Sequence, residues 1–141
     1  LIIAKKSIKT DSKDEIHIRP NKTVFFCNMI YHIIIKENQV QFSNSKNQEI
    51  VDWSKFKNKK LRIRIWTEGD VFQPLGMKNK KKISDFLINE KIDNISKKTQ
   101  SVLTVDGEIA WVCGLRISDW AKITKATKQK ALLTIKPAKR I

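Results

Sequence analysis

Short runs in which apolar residues alternate with polar ones dominate the pattern along this chain. The clearest run is LRIRIW at 61–66, which places its three aliphatic residues on one face and Arg62, Arg64 and Trp66 on the other. Such period-two alternation is typical of a half-buried β-strand. Comparable runs predict further strands at 1–4, 16–19, 24–27, 31–36, 50–53, 101–105, 108–113, 117–124 and 132–135, and a polar loop at 7–14.

One segment has helical periodicity instead. Ile83, Phe86 and Leu87 recur at the spacing of one helix face, which predicts an amphipathic helix from about Lys81 to Lys91. The pair Asp106-Gly107 between two apolar runs is a strong signal for a β-hairpin. The predicted fold class is therefore α+β, with mainly antiparallel strands and one clear amphipathic helix.

The charge of the chain is strongly positive. Lys and Arg number 29 against 14 Asp and Glu among 141 residues, for a formal net charge of +15. The excess is small over residues 1–53 and large from 54 onward. A domain of this charge favours a polyanionic partner, with nucleic acid first and an anionic membrane surface second.

Other features of the sequence predict where the protein is located and the state of its cysteines. The sequence shows no secretory signal, membrane-spanning run or lipidation motif, so we expect a cytoplasmic protein that does not contact a membrane. It begins with Leu1 rather than methionine, and we expect it to be a piece of a longer protein. Cys27 and Cys113 lie in the apolar runs VFFCNMI and IAWVCGL, which predicts buried, reduced thiols on strands.

Signals for catalysis are weak. His17 and His32 lack partners at the spacing of metal ligands, and the motifs GxSxG, CxxC and GxxxxGK[ST] are absent from the sequence. Asp70 and Asp85 have no spacing that supports a catalytic carboxylate pair. We expect Asp70 to fix the turn after Gly69 and Asp85 to offset nearby lysines. We therefore predict no catalytic residue and no metal site.

A lysine run marks the most informative segment. Lys78 and Lys80–Lys82 follow the loop EGDVFQPLGM and arrive where the predicted helix begins. Cations in a first helical turn oppose the helix dipole, at about 0.3–1 kcal/mol each. The free N–H groups of that turn, with added cations, can instead form an anion site. The pattern favours a phosphate site, with a solvated lysine run as the alternative.

Each of the other basic residues on this part of the chain has two possible roles. Arg62 and Arg64 share a strand face and are expected to reach a ligand side by side, with a solvated face as the alternative. Trp66 on that face favours packing over stacking on a base. Lys91, Lys97 and Lys98 flank the irregular stretch 92–96 and could extend a basic track or merely cover the surface. Arg116 could bind a phosphate or pair with Asp119.

Two long strings carry a resemblance to a known family. The strings LRIRIWTEGDVFQPLGMKNKKKISDFLINEKI and VLTVDGEIAWVCGLRISDWAKIT resemble the C-terminal domain of tRNA-Ile lysidine synthetases. The shared features are an arginine-bearing strand, a Gly-Asp turn, a Pro-Leu-Gly-Met loop, a Lys-Lys helix and a hairpin ending in Trp-Val-x-Gly-x-Arg. Residues 61–127 match closely and 1–60 loosely, so we expect a strand-rich lead-in at 1–60 and the tRNA-binding domain at 61–141.

The resemblance implies a longer enzyme in which catalysis and tRNA binding belong to different domains. Full-length members use ATP to adenylate the wobble cytidine of an isoleucine tRNA, and lysine then displaces AMP. That chemistry, with its ATP and Mg, belongs to an N-terminal domain with a Ser-Gly-Gly-x-Asp-Ser loop that these 141 residues do not contain. The C-terminal domain binds the tRNA acceptor stem, and its fold is similar to a domain of the phenylalanyl-tRNA synthetase β chain. This piece would thus be inactive alone, with no cofactor of its own.

The resemblance also implies partners and site residues. The partners would be the tRNA and the protein's own N-terminal catalytic domain, with a homodimer left open. Arg64, Lys78, Lys81, Lys82 and Arg116 occupy basic positions of the family's domain. The full predicted tRNA-binding set is Arg62, Arg64, Lys78, Lys80, Lys81, Lys82, Lys91, Lys97 and Arg116.

The chain departs from the family's pattern after the predicted helix. At Ile92-Asp93, Lys97 and Ser101 the chain lacks the prolines and the arginine common in the family. Lysine at 97 keeps the charge and loses bidentate geometry.

The alternative function is a structural module that braces the rest of the protein, with generic positive charge.

Overall fold

A computed structural model of the chain describes residues 15–36 and 47–138. In this part of the chain the strands are β1 Ile16–His17, β2 Val24–Phe26, β3 Met29–Lys36, β4 Gln48–Asp52, β5 Leu61–Ile65, β6 Val71–Phe72, β7 Lys81–Lys82, β8 Ser101–Val105, β9 Glu108–Val112, β10 Arg116–Ile117 and β11 Lys130–Pro137. The helices are α1 Ile83–Asn89 and α2 Asn94–Lys97, and 3-10 turns lie at Trp53–Lys55 and Asp119–Ala121. The expected α+β fold with mainly antiparallel strands is confirmed.

The strands form two larger sheets and one ribbon. The five-stranded sheet has the order β1-β5-β8-β9-β10, the four-stranded sheet has the order β2-β3-β11-β4, and β6 pairs with β7. The last strand, β11, lies between β3 and β4, and β1 pairs with β5. Strands from both sides of the predicted division at residue 60 therefore share each of the two larger sheets.

The five-stranded sheet is covered on both faces. Adjacent residues of β8 point in opposite directions, because side chains alternate along a strand. Leu103 packs in a core with both larger sheets, whereas Val102 packs in a second core with Ile83, Phe86 and Leu87 of α1. The helix is thus held by the apolar face that its sequence predicts, on the side of the sheet away from the four-stranded sheet.

The predicted helix starts two residues too early. Lys81–Lys82 form β7, which pairs with Val71–Phe72, and α1 begins only at Ile83. The backbone N–H of Ile83 donates to the carbonyl of Asp70 at 2.9 Å. The expectation that lysines occupy the first helical turn is therefore wrong. The helix also ends at Asn89, and Lys91 follows it with a positive φ of 60°.

Two other segments differ from the predicted pattern. The predicted strand 117–124 is mostly wrong, because β10 ends at Ile117 and the chain enters the 3-10 turn Asp119–Ala121. The stretch 92–96, expected to be irregular, contains the one-turn helix α2. Asp93 caps that helix by accepting from the N–H of Ser96 at 2.7 Å. The predicted strand at 1–4 and loop at 7–14 lie outside the described residues.

The cysteines occupy turns instead of strands. Cys27 is exposed and lies in the turn between β2 and β3 with a φ of 49°, so the expectation of a buried strand residue is wrong there. Cys113 is buried, as expected, in the turn after β9. Burial raises the pKa of the Cys113 thiol to about 12. Both thiols are free.

Candidate nucleic-acid interface

Three of the predicted lysines meet in one place. Lys80, Lys81 and Lys82 line a cleft of about 490 Å³ together with Asp85, Ile88 and Asn89 of α1. We call this the lysine cleft. Three lysines and one aspartate line this cleft, which gives its lining a formal charge of +2. An open, positively charged cleft of this kind suits the phosphates of a nucleic-acid backbone.

The β6–β7 ribbon holds these lysines in position. Phe72 of β6 is buried and packs edge-on against Phe86 of α1, with ring centroids 5.1 Å apart. Lys81 lies opposite Phe72 in the ribbon, so the ribbon anchors the lysine backbone to the second core. The positive charge of this cleft belongs to lysine side chains in and just before β7, and α1 is too short to add a strong dipole.

The two arginines of β5 have internal partners. Arg64 donates from Nη1 and Nη2 to the two carboxylate oxygens of Asp70, at 2.9 and 3.2 Å. Arg62 lies 3.7 Å from Glu15. The expected pair of outward-reaching guanidinium groups is therefore wrong for Arg64, which fixes the turn that leads into β6. Asp70 also accepts from the N–H of Thr67, which confirms its predicted role in that turn.

Arg116 has a different partner from the one expected. Its guanidinium lies 3.6 Å from the carboxylate of Glu90 and 5.4 Å from the ring centroid of Phe86. The expected alternative of a pair with Asp119 is wrong, because Asp119 accepts instead from the N–H of Gly76 at 3.0 Å and from Lys122. Arg116 thus ties β10 to the end of α1, and 38% of its side chain stays exposed.

The remaining predicted residues lie outside the lysine cleft. Lys78 is exposed in the turn before β7, and Lys91 is exposed after α1. Lys97 is half-buried in α2, where its carbonyl accepts from the indole N–H of Trp66 at 2.8 Å. Trp66 also packs against the second core, which confirms its predicted packing role.

A second cleft lies beside the first and shares Lys80 with it. This cleft measures about 440 Å³ and includes Arg64, Asp70, Gln73, Glu108 and Trp120 among its lining residues. We call it the aromatic cleft. Its walls come from the turn after β5, the β8–β9 turn and the second 3-10 turn, which are far apart in sequence. Local patterns carried no signal for it, apart from Trp120 at the end of the quoted hairpin string.

Over 15–36 and 47–138, no group of three or more His, Cys, Asp or Glu side chains could hold a metal ion. Neither α1 nor any other helix of these ranges is long and apolar enough to cross a membrane.

Known proteins resemble this chain in both sequence and fold. The sequence model of the family described as "TilS substrate C-terminal domain" matches residues 61–133. A tRNA(Ile)-lysidine synthase of Clostridium acetobutylicum is 36% identical over 97 residues, which are 69% of this chain and 21% of that protein. One from Caldanaerobacter subterraneus is 29% identical over 132 residues, which are 92% of this chain and 28% of that protein. The chain thus spans less than a third of the length of these relatives.

A solved structure supports the fold. The crystal structure of a TILS C-terminal domain matches with a TM-score of 0.77 and 19% identity, over 90% of this chain and 98% of that one. At this identity the match establishes the shared fold. The family model covers more than half of the 141 residues. The chain therefore belongs to the TilS substrate C-terminal domain family.

Proposed function

We propose that this chain is the tRNA-binding C-terminal part of a tRNA(Ile)-lysidine synthase, and that it holds the acceptor stem of an isoleucine tRNA. Family membership and the name of the relatives support the class of protein. The lysine cleft carries the proposal for the interface, because it gathers Lys80, Lys81 and Lys82 around one open space. The cleft lies beside the second core, which holds the backbone of these lysines in place.

The proposed contact is with phosphates more than with bases. An acceptor stem is an A-form helix, whose deep major groove side chains cannot read. Phosphate contacts fix the register and orientation of a nucleic acid on a protein. Each lysine that neutralises a phosphate also releases condensed counterions, which makes affinity fall with rising salt. The three lysines would therefore position the stem, while recognition of one tRNA among many comes from other contacts.

Catalysis is proposed to belong to another part of the enzyme. The Ser-Gly-Gly-x-Asp-Ser loop of the family's catalytic domain is not in the 141 residues, and the proposal assigns ATP and Mg to that domain. We expect the chain alone to form no lysidine with tRNA, ATP and lysine present. Lysidine formation by the purified 141-residue chain, at any level above a no-protein blank, would contradict this. A cytoplasmic location belongs to the same proposal.

A salt titration tests the lysine cleft directly. The affinity of the chain for an acceptor-stem minihelix is measured between about 50 and 300 mM salt, beside a DNA duplex of equal length. We expect Lys81→Ala with Lys82→Ala to weaken binding and to flatten the slope of log affinity against log salt by about 1–2. The matched control is Lys125→Ala with Lys128→Ala, which removes the same charge from exposed positions outside the cleft.

The outcomes separate a defined interface from generic charge. A loss confined to the Lys81 and Lys82 variant, with RNA bound better than DNA, supports the proposal. Equal losses in both double variants, with equal binding of RNA and DNA, would contradict it. That result would mean that the net charge alone attracts nucleic acid.

A second candidate function rests on an apolar surface. Leu75, Ile117 and Ile123 line a shallow cleft of about 360 Å³ that also includes Ile50 of β4. Leu75 and Ile123 are large apolar side chains with 38% and 40% exposure. Such a surface suits a bracing contact with the preceding part of the enzyme. Ile123→Asp should then weaken association with that part supplied as a separate chain, while minihelix binding stays unchanged.

A further inference from the structure

The aromatic cleft differs from the lysine cleft in charge. Lys80 and Arg64 face Glu108 and Asp70 across it, which gives no net formal charge. Arg64 and Asp70 already neutralise each other at 2.9 Å. A phosphate would gain little here and would meet the carboxylate of Glu108. A neutral, planar group with hydrogen-bonding edges fits this composition better than an anion does.

A half-buried aromatic ring forms one wall of this cleft. Trp120 donates its indole N–H to the carbonyl of Ile109 at 3.2 Å, and its ring lies 5.8 Å from that of Phe56. These two contacts fix the orientation of the ring before any ligand arrives. A fixed aromatic surface loses little conformational entropy when a planar group stacks on it. Aromatic side chains are a common stacking platform for unpaired bases.

Polar groups at the other walls are suited to reading a base edge. Gln73 donates its amide N–H to the carbonyl of Met77 at 2.7 Å, which holds the side chain and leaves its amide oxygen as an acceptor. Glu108 is exposed at the β8–β9 turn and offers carboxylate oxygens that accept hydrogen bonds. Acceptors of this kind pair with the exocyclic amino group of adenine or cytosine. Uracil has no such group.

The two clefts together match a duplex end with an overhang. Lys80 lines both of them, so a phosphate beside it lies at the boundary between the charged and the neutral cleft. We propose that the aromatic cleft binds the first unpaired nucleotide of the 3′ strand, with its base stacked on Trp120 and an exocyclic amino group facing Glu108. This inference rests on the proposed acceptor-stem function, since that stem ends in an unpaired 3′ strand.

The test compares minihelices that differ at one nucleotide. The ligands are a blunt RNA hairpin, the same hairpin with one 3′ adenosine, and the same hairpin with one 3′ purine riboside, which lacks the amino group. We expect the adenosine to raise affinity over the blunt hairpin by roughly tenfold. Trp120→Leu should remove this gain and leave blunt binding unchanged, while Trp120→Phe keeps most of it. Glu108→Ala should make adenosine and purine riboside equal.

A second readout needs no substitution. A hairpin with 3′ 2-aminopurine should lose fluorescence when the unmodified chain binds, because the base stacks on an indole ring. The same base placed inside the paired stem serves as the control and should change little. This measurement keeps the proposal testable even where Trp120→Leu lowers the folded fraction.

The outcomes distinguish this inference from the function it rests on. Salt-dependent binding of the blunt hairpin through Lys81 and Lys82, with no gain from the overhang and no quenching, would overturn the base site and leave the acceptor-stem function standing. Failure to bind either hairpin at low salt would overturn the acceptor-stem function, and the base site with it. A gain that survives Trp120→Leu, in a variant shown to be folded, would place the overhang elsewhere.

Discussion

Arg64 and Asp70 form a bidentate ion pair, in which Nη1 lies 2.9 Å from Oδ2 and Nη2 lies 3.2 Å from Oδ1. Their side chains are 19% and 14% exposed, so water screens the pair only in part. Asp70 in addition accepts from the N–H of Thr67, and its own carbonyl accepts from Ile83 at the start of α1. One residue thus links β5, the following turn and the helix.

Arg64→Ala should therefore destabilise the fold. It leaves the Asp70 carboxylate largely buried without its cation, for which we expect a loss of about 2 kcal/mol in the free energy of unfolding. Arg62→Ala is the matched control on the same strand, since Arg62 is 32% exposed and its carboxylate partner is 3.7 Å away. That change should cost less than about 1 kcal/mol. Urea unfolding of both variants measures the difference, and equal losses would contradict the structural role of Arg64.

The two thiols should differ sharply in reactivity. Partial burial raises the pKa of Cys27 above its ordinary value, and full burial raises the pKa of Cys113 to about 12. The thiolate is the reactive form, and Cys113 is also inaccessible. At pH 8 we expect one thiol to react with Ellman's reagent in the folded chain and the second only after denaturation. Cys27→Ser should abolish the first phase, and a fast phase that persists in that variant would contradict the buried position of Cys113.

Local patterns predicted the strands well and the turns poorly. The alternation of LRIRIW at 61–66 sufficed for β5, because burial of every second residue is a local property of a strand. The helical spacing of Ile83, Phe86 and Leu87 predicts a helix that includes the preceding Lys81 and Lys82. Only the pairing with Val71 and Phe72, ten residues earlier, makes them a strand.

In the candidate site, too, contacts between neighbouring residues could be predicted and contacts between distant residues could not. The lysine run predicted a cationic site from adjacent residues, and the structure brings Lys80, Lys81 and Lys82 to one cleft. The partner of Arg116 could not be predicted, because Glu90 reaches it only through the packing of α1 on the sheet. The aromatic cleft could not be predicted for a related reason, since Gln73, Glu108 and Trp120 belong to three segments that are far apart in the sequence. Long-range topology, which sequence periodicity does not contain, decides such contacts.

Asp119 should make part of the stability depend on pH. Its carboxylate accepts from the N–H of Gly76 at 3.0 Å and from the ammonium of Lys122 at 3.2 Å. These bonds hold the pKa of Asp119 below its ordinary value of 3.8, and the bond from the backbone N–H of Gly76 has the largest effect. A depressed pKa stabilises the folded state above the unfolded pKa, and this contribution is lost as the pH falls through the folded pKa.

The comparison with Asp119→Asn measures that contribution. The asparagine keeps an acceptor for Gly76 and removes the titrating charge. We expect the chain to be more stable than the variant at pH 6, and the difference to shrink as the pH falls from about 4 toward 2. Other titrating groups act on both proteins alike, so they cancel when the two unfolding free energies are subtracted. A difference that stays constant from pH 6 to pH 2 would contradict the depressed pKa.

A buried hydroxyl pair joins the two larger sheets. The phenol of Tyr31 on β3 lies 2.7 Å from the hydroxyl of Ser101 on β8, and both side chains are buried. Burial is the main reason that the pKa of Tyr31 is raised. The raised pKa keeps the phenol neutral and able to donate a hydrogen bond. Tyr31→Phe should destabilise the fold by about 1–2 kcal/mol, because it leaves the hydroxyl of Ser101 short of a partner away from water.

A double-mutant cycle isolates the bond between these two residues. Tyr31→Phe, Ser101→Ala and the double variant are unfolded in urea beside the unchanged chain. If the hydroxyls bind each other, the double variant should lose about 1 kcal/mol less than the two single losses added together. Strict additivity, within about 0.3 kcal/mol, would mean that the contact does not contribute to stability. In that case the apolar core between the sheets, centred on residues such as Ile33 and Leu103, would hold them together without it.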